Sequence, residues 1–362
     1  MEKRPKLPIL VVVAVVVLAA CCQSGYAKAD KPHPKGYVAS KTTTPVEVDG
    51  KLSEASWKAA PWTDDFRDIE GDIRPVPRFR TRAKMLWDDN YLYIGAELQE
   101  PHVWATLSQR DTVIFIDNDF EVFIDPNGDN HEYYEFEMNA RNTVWDLFLP
   151  KPYKDSGGAV DSWTIDGLKT AVSVQGTLNN PNDTDTNWTV EIAMPWKALA
   201  WYAHRPSPPN EGDQWRIDFS RVEWLNNIVN GWYQKIAGKR EDNWVWSPQG
   251  VVDMHRPETW GYVQFSTKKP GTKVSFNPDP AWEVKCILHD VYYAQRAYRE
   301  RTKSWAENLD QLGLPTSVLP AIQQGLALKT FGNNFVATMP LKLKNGKTER
   351  WFIRQDALLW KD

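Results

Sequence analysis

Arg82-Ala-Lys-Met-Leu-Trp-Asp-Asp-Asn-Tyr-Leu-Tyr-Ile-Gly-Ala-Glu-Leu98 decides the architecture. Polar and apolar residues alternate up to Trp87, Asp88-Asp89-Asn90 supplies a turn, and the alternation resumes from Tyr91, which predicts a β-hairpin. Asn118-Asp-Phe-Glu-Val-Phe-Ile-Asp125 repeats the pattern and runs into Pro126-Asn-Gly-Asp-Asn130, a second turn. The block therefore predicts an antiparallel sheet with one wet face.

Working outward, strand patterns recur at 133–139, 143–149, 169–174, 188–194, 215–222 and 260–265. A helical turn at Pro195–Ala200 interrupts them, and Leu52–Ala60 reads as a short helix after the strand Pro45–Gly50. Short strands without alternating long helices predict a mainly β fold, an antiparallel β-sandwich of the immunoglobulin-like or jelly-roll kind.

Residues 267–280 read as a linker, with Lys268-Lys-Pro-Gly271 and Asn277-Pro-Asp-Pro280. From Ala281 to Asn308 apolar residues fall at helical spacing. Two further strands, Asn334–Pro340 and Thr348–Arg354, flank the turn Lys344-Asn-Gly-Lys347. Residues 281–362 thus form a small α+β extension, and Tyr292–Tyr298 with Trp305–Gly313 is similar to the helix-then-hairpin tails of pilin-like proteins.

The start of the chain has the pattern of a targeting segment. Lys3, Arg4 and Lys6 precede an apolar run from Leu7 to Leu18 that is short for a bilayer span. Two leader readings exist: Leu18-Ala-Ala-Cys21 resembles a bacterial lipobox, with lipidation on Cys21, while Ala27-Lys-Ala29 fits ordinary secretion. Residues 1–29 are read as leader and 30–44 as tether. The protein is expected to be exported, as a membrane-anchored lipoprotein in the periplasm or at the cell surface, or else secreted. Beyond Cys21 and Cys22 only Cys286 remains, so no intrachain disulfide is expected in the folded part.

A net charge of -4 with scattered Lys and Arg gives no footprint for nucleic acid. No Ser-His-Asp signature, phosphate-binding loop or zinc-spaced His/Cys cluster is present, and no segment singles out a glycosidase carboxylate pair among the 47 acidic residues. With 19 Trp in the chain, the sequence points to a binding protein and not an enzyme, although any one Trp is more often core than platform.

Four landmarks carry a family likeness: Val48-Asp-Gly-Lys-Leu-Ser-Glu-Ala-Ser-Trp57, Leu86-Trp-Asp-Asp-Asn-Tyr-Leu-Tyr-Ile94, Asp119-Phe-Glu-Val-Phe-Ile-Asp125, and Trp246-Ser-Pro with Trp260-Gly261. In order and spacing, residues 45–266 resemble carbohydrate-binding module family 9. The resemblance implies a DOMON-like β-sandwich that binds sugars, often as an accessory to glycoside hydrolases. In that family two tryptophans hold the sugar ring. Their places fall on Phe115 and Met254 here, so both stacking residues are replaced. Glu121 matches a ligand-binding carboxylate, and Glu137 stands where the family can use an Arg.

Trp104, Trp145 and Trp224 are candidate substitute platforms. Arg110, Glu121, Asn139, Arg221, Glu223 and His255 are polar candidates for the same cleft. Arg221 and Glu223 share one strand face, which suits a structural ion pair equally well. Asp125, Asn127 and Asp129 place side-chain oxygens at alternate positions that could hold calcium, and a plain hairpin loop accounts for the same residues. The expected ligand is a mono- or oligosaccharide or a polysaccharide end, with a glycoside hydrolase as a possible partner. Two other readings stand beside it. One is a haem site drawing on Met85, Met138 or Met254 with His102, His131 or His255; the other is an interaction module using the amphipathic helix from Trp282.

Overall fold

The computed structural model describes residues 31–362; the leader, Cys21 and Ala29 lie outside the described residues. In chain order the larger unit contains β1 (Gly36–Lys41), α1 (Ala55–Ala59), β2 (Arg67–Asp68), β3 (Thr81–Trp87), β4 (Tyr91–Gln99), β5 (Asp119–Asp125), β6 (Tyr133–Asn139) and β7 (Val144–Leu149). Then come β8 (Lys169–Gln175), β9 (Asn187–Pro195), α2 (Trp196–Leu199), β10 (Gln214–Glu223), β11 (Asn226–Val229), β12 (Trp232–Lys235), β13 (Asp242–Val245) and β14 (Gly261–Ser266).

One continuous path, β7-β6-β5-β10-β14-β1-β3-β4-β9-β8, makes the main sheet, and β13 and β2 branch from β10. The path curls into a β-sandwich. Alternate residues of both halves, among them Met85, Ile94, Phe120, Phe136, Val190, Phe219 and Phe265, meet in one apolar core.

The hairpin read from Arg82–Leu98 is β3–β4, with Met85 opposite Ile94. Its turn is held by Asp88, whose Oδ1 accepts from the amides of Asn90 at 2.7 Å and Tyr91 at 2.8 Å. The stretch expected to be a tether differs: residues 36–41 form β1, parallel to both β14 and β3. Tyr37 and Ala39 point into the core, and this alternation is masked in the sequence by the Pro and Lys residues around it.

Two landmarks have clear structural causes. Glu191 on β9 accepts from Trp57 Nε1 at 2.8 Å and from the amides of Asp49 and Gly50 at 3.0 Å each, fixing the Val48–Trp57 segment against the sheet. Gly50 has φ +82°, and a Cβ there would lie 2.7 Å from the Val172 carbonyl carbon. Gly261 faces the Trp246 ring so closely that a Cβ would lie 2.4 Å from it.

The C-terminal unit comprises α3 (Trp282–Thr302), α4 (Leu319–Gln323), β15 (Ala327–Phe331), β16 (Asn334–Lys342), β17 (Thr348–Arg354) and β18 (Leu359–Lys361). Its four strands pair in sequence order, two more than the spacing predicted. The apolar face of α3 packs on this sheet through Ile287, Leu288, Val291 and Tyr292, so it is not a free docking face. The unit also seats on the sandwich: Arg296 pairs with Asp155 at 2.7 Å, and the Leu359 amide donates to the Asp129 carbonyl at 3.0 Å, while Lys285 pairs with Asp279 of the connecting segment at 2.8 Å.

Among the described residues, no helix is long and apolar enough to cross a membrane.

Candidate functional site

The period of two that sends Phe120, Val122 and Ile124 into the core sends Asp119, Glu121, Phe123 and Asp125 outward. On β6 the outward residues are Tyr133, Glu135, Glu137 and Asn139. Glu121 lies directly across from Glu137, and Phe123 from Glu135. On the other flank Glu121 faces Ser220 of β10.

Over this outer face opens a cavity of about 240 Å³, lined by Glu121, Glu135 and Glu137 at the floor and by Phe115, Trp145, Tyr153 and Met254 around it. Asn243, Glu241, Asp253 and His255 complete its polar wall. Phe115 and Tyr153 are 39% and 45% exposed, so two flat apolar faces stand open to water at the rim. Behind them Phe123, Tyr133, Leu147, Leu149 and Trp260 form a separate apolar cluster that stiffens the wall.

Burial sets the electrostatics. It pushes Glu121 up to about 7, against the pull of the Ser220 hydroxyl. Glu137 is also raised, by burial first and then by the carboxylates of Glu121, Asp119 and Glu135; its Oε2 accepts from the Phe115 amide at 3.0 Å. Burial lowers His255 to about 4, leaving a neutral imidazole whose Nδ1 meets the Tyr133 hydroxyl at 2.9 Å.

Of the residues expected in the cleft, Phe115, Glu121, Glu137, Met254 and His255 line this cavity. Five do not. Arg221 points the other way from Val222, into the sandwich, where it is fully buried and donates to Glu100 at 2.7 Å and Glu223 at 2.8 Å. Arg221 and Glu223 are thus the structural ion pair, because the alternation on β10 puts odd-numbered positions inside. Asn139 is outward but occupied, donating to Leu107 O at 2.9 Å and Asp117 Oδ2 at 3.0 Å. Arg110 pairs with Asp146, and Trp104 is buried in the loop after β4.

Among the substitute platforms, Trp145 is in the cavity wall, while Trp224 braces the rim by donating to Phe115 O at 2.8 Å. Glu135 and Tyr153 were missed. Glu135 had a signal, since it lies two residues from Glu137 on the same strand face; Tyr153 sits in a loop whose approach no periodicity reveals.

The Asp125–Asp129 loop turns its oxygens inward. Asp125 accepts from the amides of Gly128 at 2.8 Å and Asn130 at 2.9 Å, and Asp129 accepts from the His131 amide at 2.8 Å and from Asn127 Nδ2 at 2.7 Å. This is the plain hairpin loop, and it serves as the seat of the C-terminal unit. Met85 and Met138 are core residues, His131 contacts Asp356 O, and His102 contacts Tyr233, so these Met and His residues face different partners.

A larger opening of about 630 Å³ lies at the seam between the units, lined by Lys154, Arg296, Arg299 and Asp356, with Trp305 as its sole ring. It lies outside the four landmarks and offers no second flat face to a ring, so the smaller cavity is the candidate site.

Residues 48–212 match the family model described as carbohydrate family 9 binding domain-like. Over that span the chain is similar to the family 9 carbohydrate-binding domains. The family 9-like match ends before β10 and β14, although both strands are central to the sheet. Similar curated proteins are an exoglucanase XynX of Acetivibrio thermocellus, 29% identical over 156 residues, and an endo-1,4-beta-xylanase A of Thermoanaerobacterium saccharolyticum, 28% identical over 116 residues. These alignments cover 43% and 32% of this chain but only 12% and 8% of those proteins. Among solved structures, a family 9 module from Caldicellulosiruptor kristjanssonii in complex with cellotriose aligns with TM-score 0.42 and 17% identity, over 67% of this chain and 100% of that one. A putative carbohydrate-binding protein from Bacteroides uniformis aligns with TM-score 0.48 and 15% identity, over 64% and 100%.

Proposed function

We propose that this protein is a non-catalytic carbohydrate-binding protein, exported and anchored to a bacterial membrane through a lipid on Cys21, that supports capture or breakdown of polysaccharide beside a glycoside hydrolase. The observation that carries the reading is the open cavity of the family 9-like domain, with exposed rings above a carboxylate floor. Sugars present an apolar C–H face and vicinal hydroxyls. Phe115, Tyr153 and Trp145 offer flat surfaces to the first, and Glu121 and Glu137 offer paired acceptor oxygens to the second. About 240 Å³ is below the 300–1,000 Å³ or so of drug-sized sites, which favours one terminal ring over a chain threaded through.

A glycan array with wild-type protein, Glu121→Ala and Phe115→Ala tests the ligand. Binding to some plant, algal or host glycan is expected, weakened about tenfold or more by either substitution, since each removes an interaction of the order of 1.4 kcal/mol. Silence across all glycans would sink the carbohydrate reading. The anchor is tested separately: Cys21→Ser should move the protein from the membrane to the soluble fraction.

A further inference from the structure

Three buried carboxylates, Glu121, Glu135 and Glu137, line the floor of the cavity, and a fourth, Asp119, lies fully buried beside them. Asp119 and Glu121 on β5 meet Glu137 on β6, and one oxygen from each lies within 4.8 Å of the others. Glu135 stands on the same face, diagonal to Glu121 and lining the same cavity. Among the described residues no Lys or Arg pairs with any of the four; the nearest basic group is the His255 ring, 3.9 Å from Glu135 Oε1.

Two oxygens are left over. Asp119 Oδ1 accepts from the Val222 amide at 3.1 Å, but Asp119 Oδ2 and Glu135 Oε2 have no hydrogen-bond partner, although Asp119 is fully buried and Glu135 is 5% exposed. An orphaned buried carboxylate oxygen is costly, and a native fold that keeps two beside a cluster of acids has a further ligand to satisfy them. Calcium takes six to eight oxygens at about 2.3–2.6 Å. Donor atoms around such an ion can therefore lie up to about 4.8 Å apart, and the three oxygens all fall within that reach.

We propose that Asp119, Glu121 and Glu137 hold a calcium ion at the base of the cavity, with Glu135 beside it. The open positions of the ion face the cavity, where they would take water or a pair of vicinal sugar hydroxyls. The hydroxyl contact rests on the carbohydrate reading; the ion itself does not.

The test is calcium chloride titrated calorimetrically into the full chain in mild detergent after treatment with EDTA and desalting, with thermal melting alongside. One ion per chain should bind and raise the melting temperature. Glu137→Gln and Asp119→Asn should each weaken binding about tenfold or more, as the loss of a ligand does, without lowering the melting temperature of the calcium-free protein. Absence of heat and of a melting shift overturns the site, as does undiminished binding in both variants. Glycan binding with and without EDTA separates the two readings. Calcium binding without any glycan binding keeps the ion and rejects the sugar; glycan binding by a protein that takes up no calcium does the reverse.

Discussion

Arg221 is fully buried, with five hydrogen bonds to Glu100, Glu223, Thr81 and Gln99. Burial and the neighbouring Glu223 push Glu100 up to about 9 against its pull. Arg221→Met should lower the unfolding free energy by about 3 kcal/mol in urea denaturation, because two buried carboxylates lose their cation, while leaving cavity binding unchanged. The same residue shows what the sequence could carry. Alternation states that Arg221 and Glu223 share a face, but not which face is inner, because β10 is buried on both sides. Glu121 and Glu137 were legible through the family likeness, while their direct opposition across β5 and β6 is a matter of strand register. The orphaned oxygens of Asp119 and Glu135 follow from three-dimensional packing alone.

Elements were read more securely than residues where one face is wet, as on β3 and β4, and less so where flanking prolines hid a short run, as on β1. The junction between the sandwich and α3 was not legible, since its contacts join positions more than a hundred residues apart. It centres on His289, which is buried, accepts from Asn130 Nδ2 at 3.0 Å through Nε2, and donates through Nδ1 to Lys285 O at 2.8 Å. Burial lowers its ring to about 4, with Glu258 opposing and Lys31 and Lys154 adding to the effect. A base with a depressed folded-state value stabilises the fold above its ordinary value near 6.5 and loses that contribution as pH falls toward 4, by up to about 3 kcal/mol. Glu258 and Asp279, both held near 2, stay ionised across that window. Limited proteolysis of the 267–280 segment should therefore accelerate between pH 6.5 and 4.5, and His289→Gln should flatten the dependence.

At the scale of the molecule, the two units share polar contacts that neither satisfies alone. The Tyr292 hydroxyl and Arg296 both donate to the buried Asp155, at 2.5 and 2.7 Å, and Asn130 donates to Ala357 O at 2.9 Å. Deleting residues 281–362 should lower the melting temperature of the sandwich by several degrees, measured by calorimetry, while a chain with Thr267–Pro280 nicked should melt close to the intact protein.

The placement of β1 between β14 and β3 sets the order of assembly. Its five-residue parallel register with β14 joins positions more than two hundred residues apart, and such distant pairing is slow to close. A chain that emerges amino end first must leave the edge of β1 that faces β14 unpaired until Gly261–Ser266 arrives, so this pairing closes late and truncation anywhere before it leaves an adhesive edge.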